Sequence, residues 1–459
     1  MLALTRAIEA WSDGITRRDP MAFVHRGADL RWAVERDLFF ELVHDAGLRK
    51  TFVATGGSEF DITVPPLPLT KRLRYELGNL SRIGKVSLVT ARLLEKPQFL
   101  FLTIHPKFVT FLKPIADALG SRAAFLTVLD PVTDAYLEKL GLPTVSVRPG
   151  FTFSPVPGGV LGHFAPLCRH FDLVSAMIAK LQPRVIAVPE GNAPVYELAH
   201  RAGLPQGVAT VCIQHGAPAY TNPGFRNWTF EDMLVWGSQF IEPFAKYNPR
   251  QRFTAIGTPA KLATPRPRAG TQPVRSVGFF LQKAGETIPF QEWVDLLDFI
   301  AWTARTFPAL DIVVREHPTQ PRLDASELER LGGLPNIRFM ASPQYSIGDT
   351  LSACDIVVGA ASTTLLEAIE AGAIPFIFGT AYPPDFPSIS VLGAAAEGAT
   401  LAEAKNAMTR LIQDEVMRAQ LHQQGERIRP ELFAASGQAG AVLLAEALAQ
   451  IARCASVDA

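Results

Sequence analysis

The chain has 459 residues, of which 48% are apolar and 19% charged. That is enough for two or three domains with large cores, and it excludes wholesale disorder. Lys+Arg and Asp+Glu both number 44, a formal net charge of zero, which argues against a dedicated nucleic-acid binder.

The four cysteines, Cys168, Cys212, Cys354 and Cys454, are widely spaced and form no CxxC pair. They read as free thiols of a reducing compartment. No N-terminal run reads as a signal peptide, and no window reads as a membrane span of roughly 20 apolar residues. A cytoplasmic protein is expected, with peripheral contact at the inner face of the membrane left open.

Residues 1–48 read as a helical segment, with faces through Leu2, Leu4, Ile8 and Trp11 and through Trp32, Phe39 and Phe40. No chemistry is evident there. Thr51–Thr55 reads as a strand ending in Gly56-Gly57-Ser58. Lys71, Arg72, Arg74, Arg82, Lys85 and Arg92 form a basic stretch of helical character, either a solvated face or a contact for an anionic acceptor or lipid headgroups. Phe99–Ile104 is a strand followed by His105-Pro106, and Phe125–Leu129 is another, ending at Asp130-Pro131. Residues 145–165 are rich in Gly and Pro and read as a long loop, a lid or a mobile segment.

Val185–Val188 reads as a strand ending Pro189-Glu190-Gly191-Asn192, before a helix at Val195–Ala202. A carboxylate at a strand's carboxyl end suits a general base; the alternative is that Glu190 binds turn amides. Val208–Ile213 is a strand ending Gln214-His215-Gly216-Ala217-Pro218. Histidine side chains ordinarily titrate near neutrality, so His215 suits a base or an anion ligand, with a structural role as the alternative. Leu234–Trp236 and Thr254–Ile256 complete a first doubly wound sheet.

Residues 258–273 hold four prolines and little apolar content and read as a linker. Val277–Leu281 opens a second sheet and is followed by Gln282 and Lys283, which is placed either to meet a phosphate or in plain solvent. Residues 291–306 form an amphipathic helix with Trp293, Leu296, Leu297 and Ile300 inward. The strand Ile312–Val314 ends in Arg315-Glu316-His317-Pro318. Ile337–Met340 is a further strand, and 346–353 a helix.

Ile356–Val358 leads through Gly359 and two alanines to Ser362-Thr363-Thr364 and a helix that stops at Gly372, before the strand Ile374–Phe378. Small residues and hydroxyls at a helix start form a seat for a phosphate, His317 is placed to donate to the same anion, and Glu367 to accept from a ribose hydroxyl. The bland alternatives are a helix cap, a Thr364/Glu367 capping box and an ordinary His-Pro turn. The second His-Pro, at His105, shows that the dipeptide alone has little specificity. Residues 400–424 and 438–454 read as closing helices.

Thr364-x-x-Glu367-Ala368, followed by Gly372-Ala373-Ile374-Pro375, resembles the C-terminal nucleotide-binding half of GT-B glycosyltransferases. His317-Pro318 and Ser362-Thr363 resemble motifs of bacterial sialyltransferases, polysialyltransferases and capsule Kdo transferases. Glu190-Gly191 resembles their acidic-Gly motif, with Pro189 where its first acidic residue stands. Gln214-His215-Gly216 looks like the equivalent run in surface-polysaccharide and CDP-glycerol transferases.

The resemblance implies an α/β chain with two Rossmann-like doubly wound domains facing a cleft. Their bounds would be a helical segment 1–48, an acceptor-side domain 49–257, a linker 258–273, a nucleotide-sugar domain 274–430 and a C-terminal helix 431–459 crossing back. It implies transfer of an acidic sugar from a CMP-activated donor to a surface-polysaccharide or glycoconjugate acceptor, carbohydrate or glycolipid, with Glu190 or His215 as base. Gln282, Lys283, Arg315, His317, Pro318, Ser362, Thr363, Thr364 and Glu367 would hold the donor, and Gly191, Asn192, Gln214 and Gly216 would line the reacting groups. No obligatory cofactor or metal is expected, since no DxD-like pair is present. The alternatives are a CDP-glycerol or UDP-sugar transferase, an enzyme like UDP-GlcNAc 2-epimerase, or a non-catalytic assembly protein of the same fold.

Overall fold

Most of the short apolar runs become parallel strands, and the amphipathic stretches between them become covering helices. The computed structural model describes residues 2–57, 87–91, 96–128, 130–148, 159–216, 225–263, 270–285, 288–317, 320–340, 344–360, 362–383 and 386–454. Two units emerge. The first comprises Met1–Trp236, Phe244–Pro259 and Gln438–Ala459, and the second Gly237–Pro243 and Ala260–Gly437.

In the first unit a small hairpin, β1 (Val24–His25) and β2 (Ala28–Asp29), precedes the main sheet. The sheet contains β3 (Ser87–Ala91), β4 (Phe99–Leu102), β5 (Ala123–Val128), β6 (Thr144–Arg148), β7 (Val185–Pro189), β8 (Ala209–Ile213), β9 (Asp232–Val235) and β10 (Arg252–Ala255). Their order is β10-β9-β8-β7-β4-β5-β6-β3, parallel except for the antiparallel β3–β6 pair. The chain runs outward one way from β4 and the other way from β7, so the strand order reverses between them. In such sheets ligands bind outside the carboxyl ends at this point of reversal.

Phe99, Phe101, Phe125, Val211 and Ile213 share one core with Val109, Leu112 and Ile115 of helix Pro106–Leu119. Ala441, Leu444 and Leu448 of helix Gly437–Cys454 join the same core. The stretch Glu415–Cys454 contains a window long and apolar enough for a membrane span by composition, contrary to expectation. The helix before it ends at Leu432, and the apolar side of Gly437–Cys454 is core.

Several expectations are corrected. Thr51–Thr55 is the end of a helix, Ala46–Thr55, started by the Asp45 side chain on Leu48 N–H and closed by left-handed Gly56. Residues 145–165 are not one long loop, because β6 runs to Arg148 and a helix occupies Gly159–Leu181. Within the basic stretch, Ser87–Ala91 is a strand; Ser58, Lys71, Arg72, Arg74, Arg82, Lys85 and Arg92 lie outside the described residues. The closing stretch 400–424 is two helices, Leu401–Gln413 and Glu415–Leu432, separated by Asp414, whose side chain caps the second.

The N-terminal helices are bound to the sheet's covering layer by charge as well as by apolar packing. Arg36, on helix Arg31–His44, donates from Nη1 to Glu197 Oε2 at 3.0 Å, and both side chains are fully buried. Glu197 lies on helix Pro194–Gly203, and its other oxygen accepts from Arg201 Nε at 3.0 Å and Thr229 Oγ1 at 2.6 Å. Burial pushes the Glu197 carboxyl up, but Arg36, Arg201, His200 and Thr229 outweigh it and hold it below the usual range.

The second unit is a six-stranded parallel sheet of β11 (Ser276–Phe280), β12 (Asp311–Arg315), β13 (Ile337–Phe339), β14 (Ile356–Gly359), β15 (Ile374–Phe378) and β16 (Ala396–Gly398). The order is β13-β12-β11-β14-β15-β16, with its reversal between β11 and β14. Helices Phe290–Thr306 and Leu401–Gln413 close one face. There Phe299 stacks on Phe378 at 5.3 Å and meets Phe279 edge-on at 5.6 Å.

Removing one partner of the Arg36–Glu197 pair leaves a charge stranded in the interior. Arg36→Met should therefore destabilise the chain by about 3–5 kcal/mol in urea unfolding followed by circular dichroism. The double change Arg36→Met/Glu197→Leu should regain a large part of that loss.

Candidate functional site

In the first unit Glu190 directly follows β7 and His215 follows β8, two residues past its end. The strands are neighbours in register, with Pro189 opposite Ile213, so the two tips lie side by side. His215 Nδ1 and Glu190 Oε1 are 2.9 Å apart. Burial raises the Glu190 carboxyl, but His215, the Lys107 charge and the Asn192 amide more than offset this and leave it below the usual range. An ionised carboxylate only accepts, so His215 Nδ1–H is the donor, the tautomer that in a neutral imidazole leaves the lone pair on Nε2.

The loop that carries Glu190 is strained. Glu190 has φ +61° and Gly191 φ +72°. A left-handed backbone is unfavourable for a glutamate, and such residues cluster at functional sites. Gly191 is required for a second reason: a Cβ there would lie 2.6 Å from Phe230 Cε2 and 3.2 Å from Cys212 Sγ. Asn192 Nδ2 donates to Glu190 Oε2 at 3.3 Å. A Cβ on Gly216 would lie 3.3 Å from Glu190 Oε1, so glycine leaves room for the carboxylate.

Gln214 is a positioning group. It is buried, its Oε1 accepts from Trp236 N at 2.8 Å, and its Nε2 donates to Gly216 O at 3.1 Å. His215 is also clamped by two rings that sequence reasoning missed, Phe108 at 4.9 Å and Phe111 at 4.7 Å, both edge-on. They stand on helix Pro106–Leu119, whose N-cap is His105; its Nδ1 accepts from Lys107 N at 3.1 Å. The second His-Pro is thus a cap, and the signal that could have found the clamp was the aromatic-rich helix start after it.

In the second unit Gln282 and Lys283 follow β11, Arg315 ends β12 with His317 two residues beyond it, and Ser362–Thr364 follow β14. All lie on the carboxyl side of the sheet, around its reversal point. Pro318 lies outside the described residues. Ser362 Oγ donates to Thr364 Oγ1 at 2.9 Å and accepts from Thr364 N at 3.2 Å. Thr363 is the N-cap of helix Thr364–Glu370 and makes no side-chain cap, so the Thr364/Glu367 capping box does not form. Burial pushes the half-buried Glu367 carboxyl up to about 7, against the Thr363 hydroxyl, which lowers it. Burial also lowers His317, which favours its neutral ring.

Two cations expected to meet the donor are engaged elsewhere. Arg315 turns inward, donating to Met340 O at 3.2 Å, Tyr345 O at 3.1 Å and Thr350 Oγ1 at 2.7 Å. Lys283 Nζ donates to Glu327 Oε2 at 2.6 Å, and Trp293 Nε1 donates to Glu327 Oε1 at 2.9 Å. Lys283, His317, Gln320 and Trp293 still line a common recess of about 10 Å³, room for one water-sized group. Among the described residues no cluster of His, Cys, Asp or Glu has the arrangement of a metal site.

No protein-family model matches the chain, and no curated protein matches it in sequence. Solved structures do match. HepE of Anabaena, in complex with UDP, is 16% identical with a TM-score of 0.50, over 77% of this chain and 100% of its own. MurG of Acinetobacter baumannii is 12% identical with a TM-score of 0.50, over 77% and 100%. At these identities the likeness is one of fold: this is an α/β chain of the GT-B class, built on two parallel sheets with helices.

The two carboxyls titrate in opposite directions. Glu190 is held below its ordinary 4.5, so it adds stability above that pH and loses it as pH falls through the lower folded value. Glu190→Gln should be less stable than the wild type at pH 7, with the gap closing below pH 4.5. Glu367 is raised from 4.5 to about 7, so its favourable protonated form is lost as pH rises between those values. Glu367→Gln should become the more stable protein over that range, by on the order of 1 kcal/mol. Urea midpoints from pH 4 to pH 8 check both.

Proposed function

We propose that the chain is a nucleotide-sugar-dependent glycosyltransferase in which the first unit activates the acceptor and the second holds the donor nucleotide. The observation that carries this is the Glu190–His215 hydrogen bond, 2.9 Å, at neighbouring strand tips of a GT-B sheet. His215 Nε2 takes the proton of an acceptor hydroxyl. The freed oxygen attacks the anomeric carbon, and the carbon–oxygen bond to the donor phosphate breaks, its electron pair leaving with the phosphate. Glu190, ionised and loaded with donors, is the weaker base; it fixes the ring's tautomer and stabilises the imidazolium.

The donor phosphate would sit against Ser362, Thr363, Thr364 and His317, with Gln282 beside them and Glu367 on the ribose. Helix Thr364–Glu370 has only seven residues, so hydroxyl and N–H donors matter more than its dipole. The charge of this end favours a nucleoside monophosphate leaving group. Lys283 and Arg315 are engaged, Arg322 pairs with Glu316 at 2.6 Å, and His317 tends to neutrality. A diphosphate carries more negative charge and calls for a free cation or a metal. We therefore favour a CMP-activated acidic sugar, transferred to a surface polysaccharide or glycoconjugate without an obligatory metal.

A UDP-sugar donor is the second reading, favoured by the UDP bound in HepE.

Thermal unfolding with CMP, CDP, UMP and UDP, with and without magnesium, separates the two. A ligand of the folded state adds about 2.7 kcal/mol at a hundredfold excess over Kd. CMP alone should stabilise the chain, and His317→Ala should abolish the effect; a UDP-only response moves the donor to UDP-sugars, and no response to any nucleotide removes the transferase reading. With donor and acceptor in hand, His215→Asn should keep the nucleotide response and lower turnover by about 10²–10⁴-fold.

A further inference from the structure

Lys107 lies near the Glu190–His215 pair, and the proposed chemistry leaves it unused. It is exposed, two residues past the His105 cap. Its Nζ lies 4.6 Å from the centroid of the Phe108 ring, and that ring lies 4.9 Å from the imidazole of His215. A cation over an aromatic face is held in place without being neutralised. Among the described residues no carboxylate comes within ion-pair distance of Lys107. Glu190 feels its charge, but the carboxylate's own hydrogen bonds go to His215 and Asn192.

We propose that the first unit's site takes an acceptor bearing an anionic oxygen group, a carboxylate or a phosphate ester, which Lys107 holds while a neighbouring hydroxyl faces His215. This deepens, and rests on, the reading of Glu190 and His215 as the acceptor site. A neutral glycan would leave the Lys107 charge unused. An anionic one gains an ion pair placed by Phe108, on the same ring that sets the imidazole.

The test needs no turnover. Histidine ring resonances are recorded on the full chain, His215 is assigned with His215→Gln, and glucose, glucuronate and glycerol 3-phosphate are titrated in turn. Glucuronate or glycerol 3-phosphate should shift the His215 signals saturably, and glucose should not. Whichever anion binds tighter tells a sugar acid from a phosphate ester. Lys107→Met should weaken binding about fivefold, the size of a half-exposed ion pair, and Lys107→Arg should restore it. Equal binding by wild type and Lys107→Met, equal response to glucose, or no response to either anion overturns the proposal. Nucleotide stabilisation is read separately: anion binding at Lys107 without it keeps this site and removes the transferase reading, whereas nucleotide response without anion binding removes only this inference.

Discussion

A glutamate in left-handed backbone is held against its own preference, and the first unit supplies what holds it. The Glu190–His215 hydrogen bond gathers the restraints. Neighbouring parallel strands bring the two tips together, Gly191 lets Phe230 close beneath the turn, and Gln214 pins the other tip to Trp236. Phe108 and Phe111 then fix the ring from above. Relaxing the turn would free backbone strain of order 1–3 kcal/mol and lose the geometry. Strain kept in place by so many contacts leaves the pair preorganised in one geometry.

The N-terminal helices belong to the same construction. Arg36 reaches Glu197 on helix Pro194–Gly203, and that helix begins only four residues after Glu190. The helix that anchors the strained turn is thus itself anchored by a buried ion pair. Breaking such a pair is far more damaging than never having made it. The segment read from sequence as having no chemistry acts through position instead.

Much of the fold was legible because strands buried on both faces are written as unbroken apolar runs; Val185–Pro189, Ser276–Phe280 and Ile374–Phe378 are buried throughout. The polar residues after each run had to stand at strand tips, which is why the positions of Glu190, His215, His317 and Ser362 were legible. The helix Ala46–Thr55 was not legible, since Thr51–Thr55 is rich in β-branched and aromatic residues and local propensity pointed to a strand. The capping of Asp45 and Gly56 won there. Nor does a sequence show that residues 25 apart will share a hydrogen bond, which requires the register of β7 on β8. The fates of Lys283 and Arg315 were hidden for the same reason, because Glu327 and the Met340 and Tyr345 carbonyls become neighbours only on folding.

Both sheets offer the same kind of place, a crevice where strand order reverses, so topology alone cannot explain why they would differ in task. The residues at the tips make the difference. One crevice carries a carboxylate–imidazole pair with an exposed cation beside it. The other carries hydroxyls, an imidazole that burial keeps neutral, a carboxyl pushed up to about 7, and cations tied into the scaffold. The first sets a carboxylate and an imidazole next to an exposed cation; the second sets uncharged donors at the strand tips and keeps its cations in the scaffold. Lys283 is held there because Glu327, oriented by Trp293 Nε1–H and by Asp324 N–H, presents its carboxylate to the lysine, so the cation is part of the scaffold before any ligand arrives.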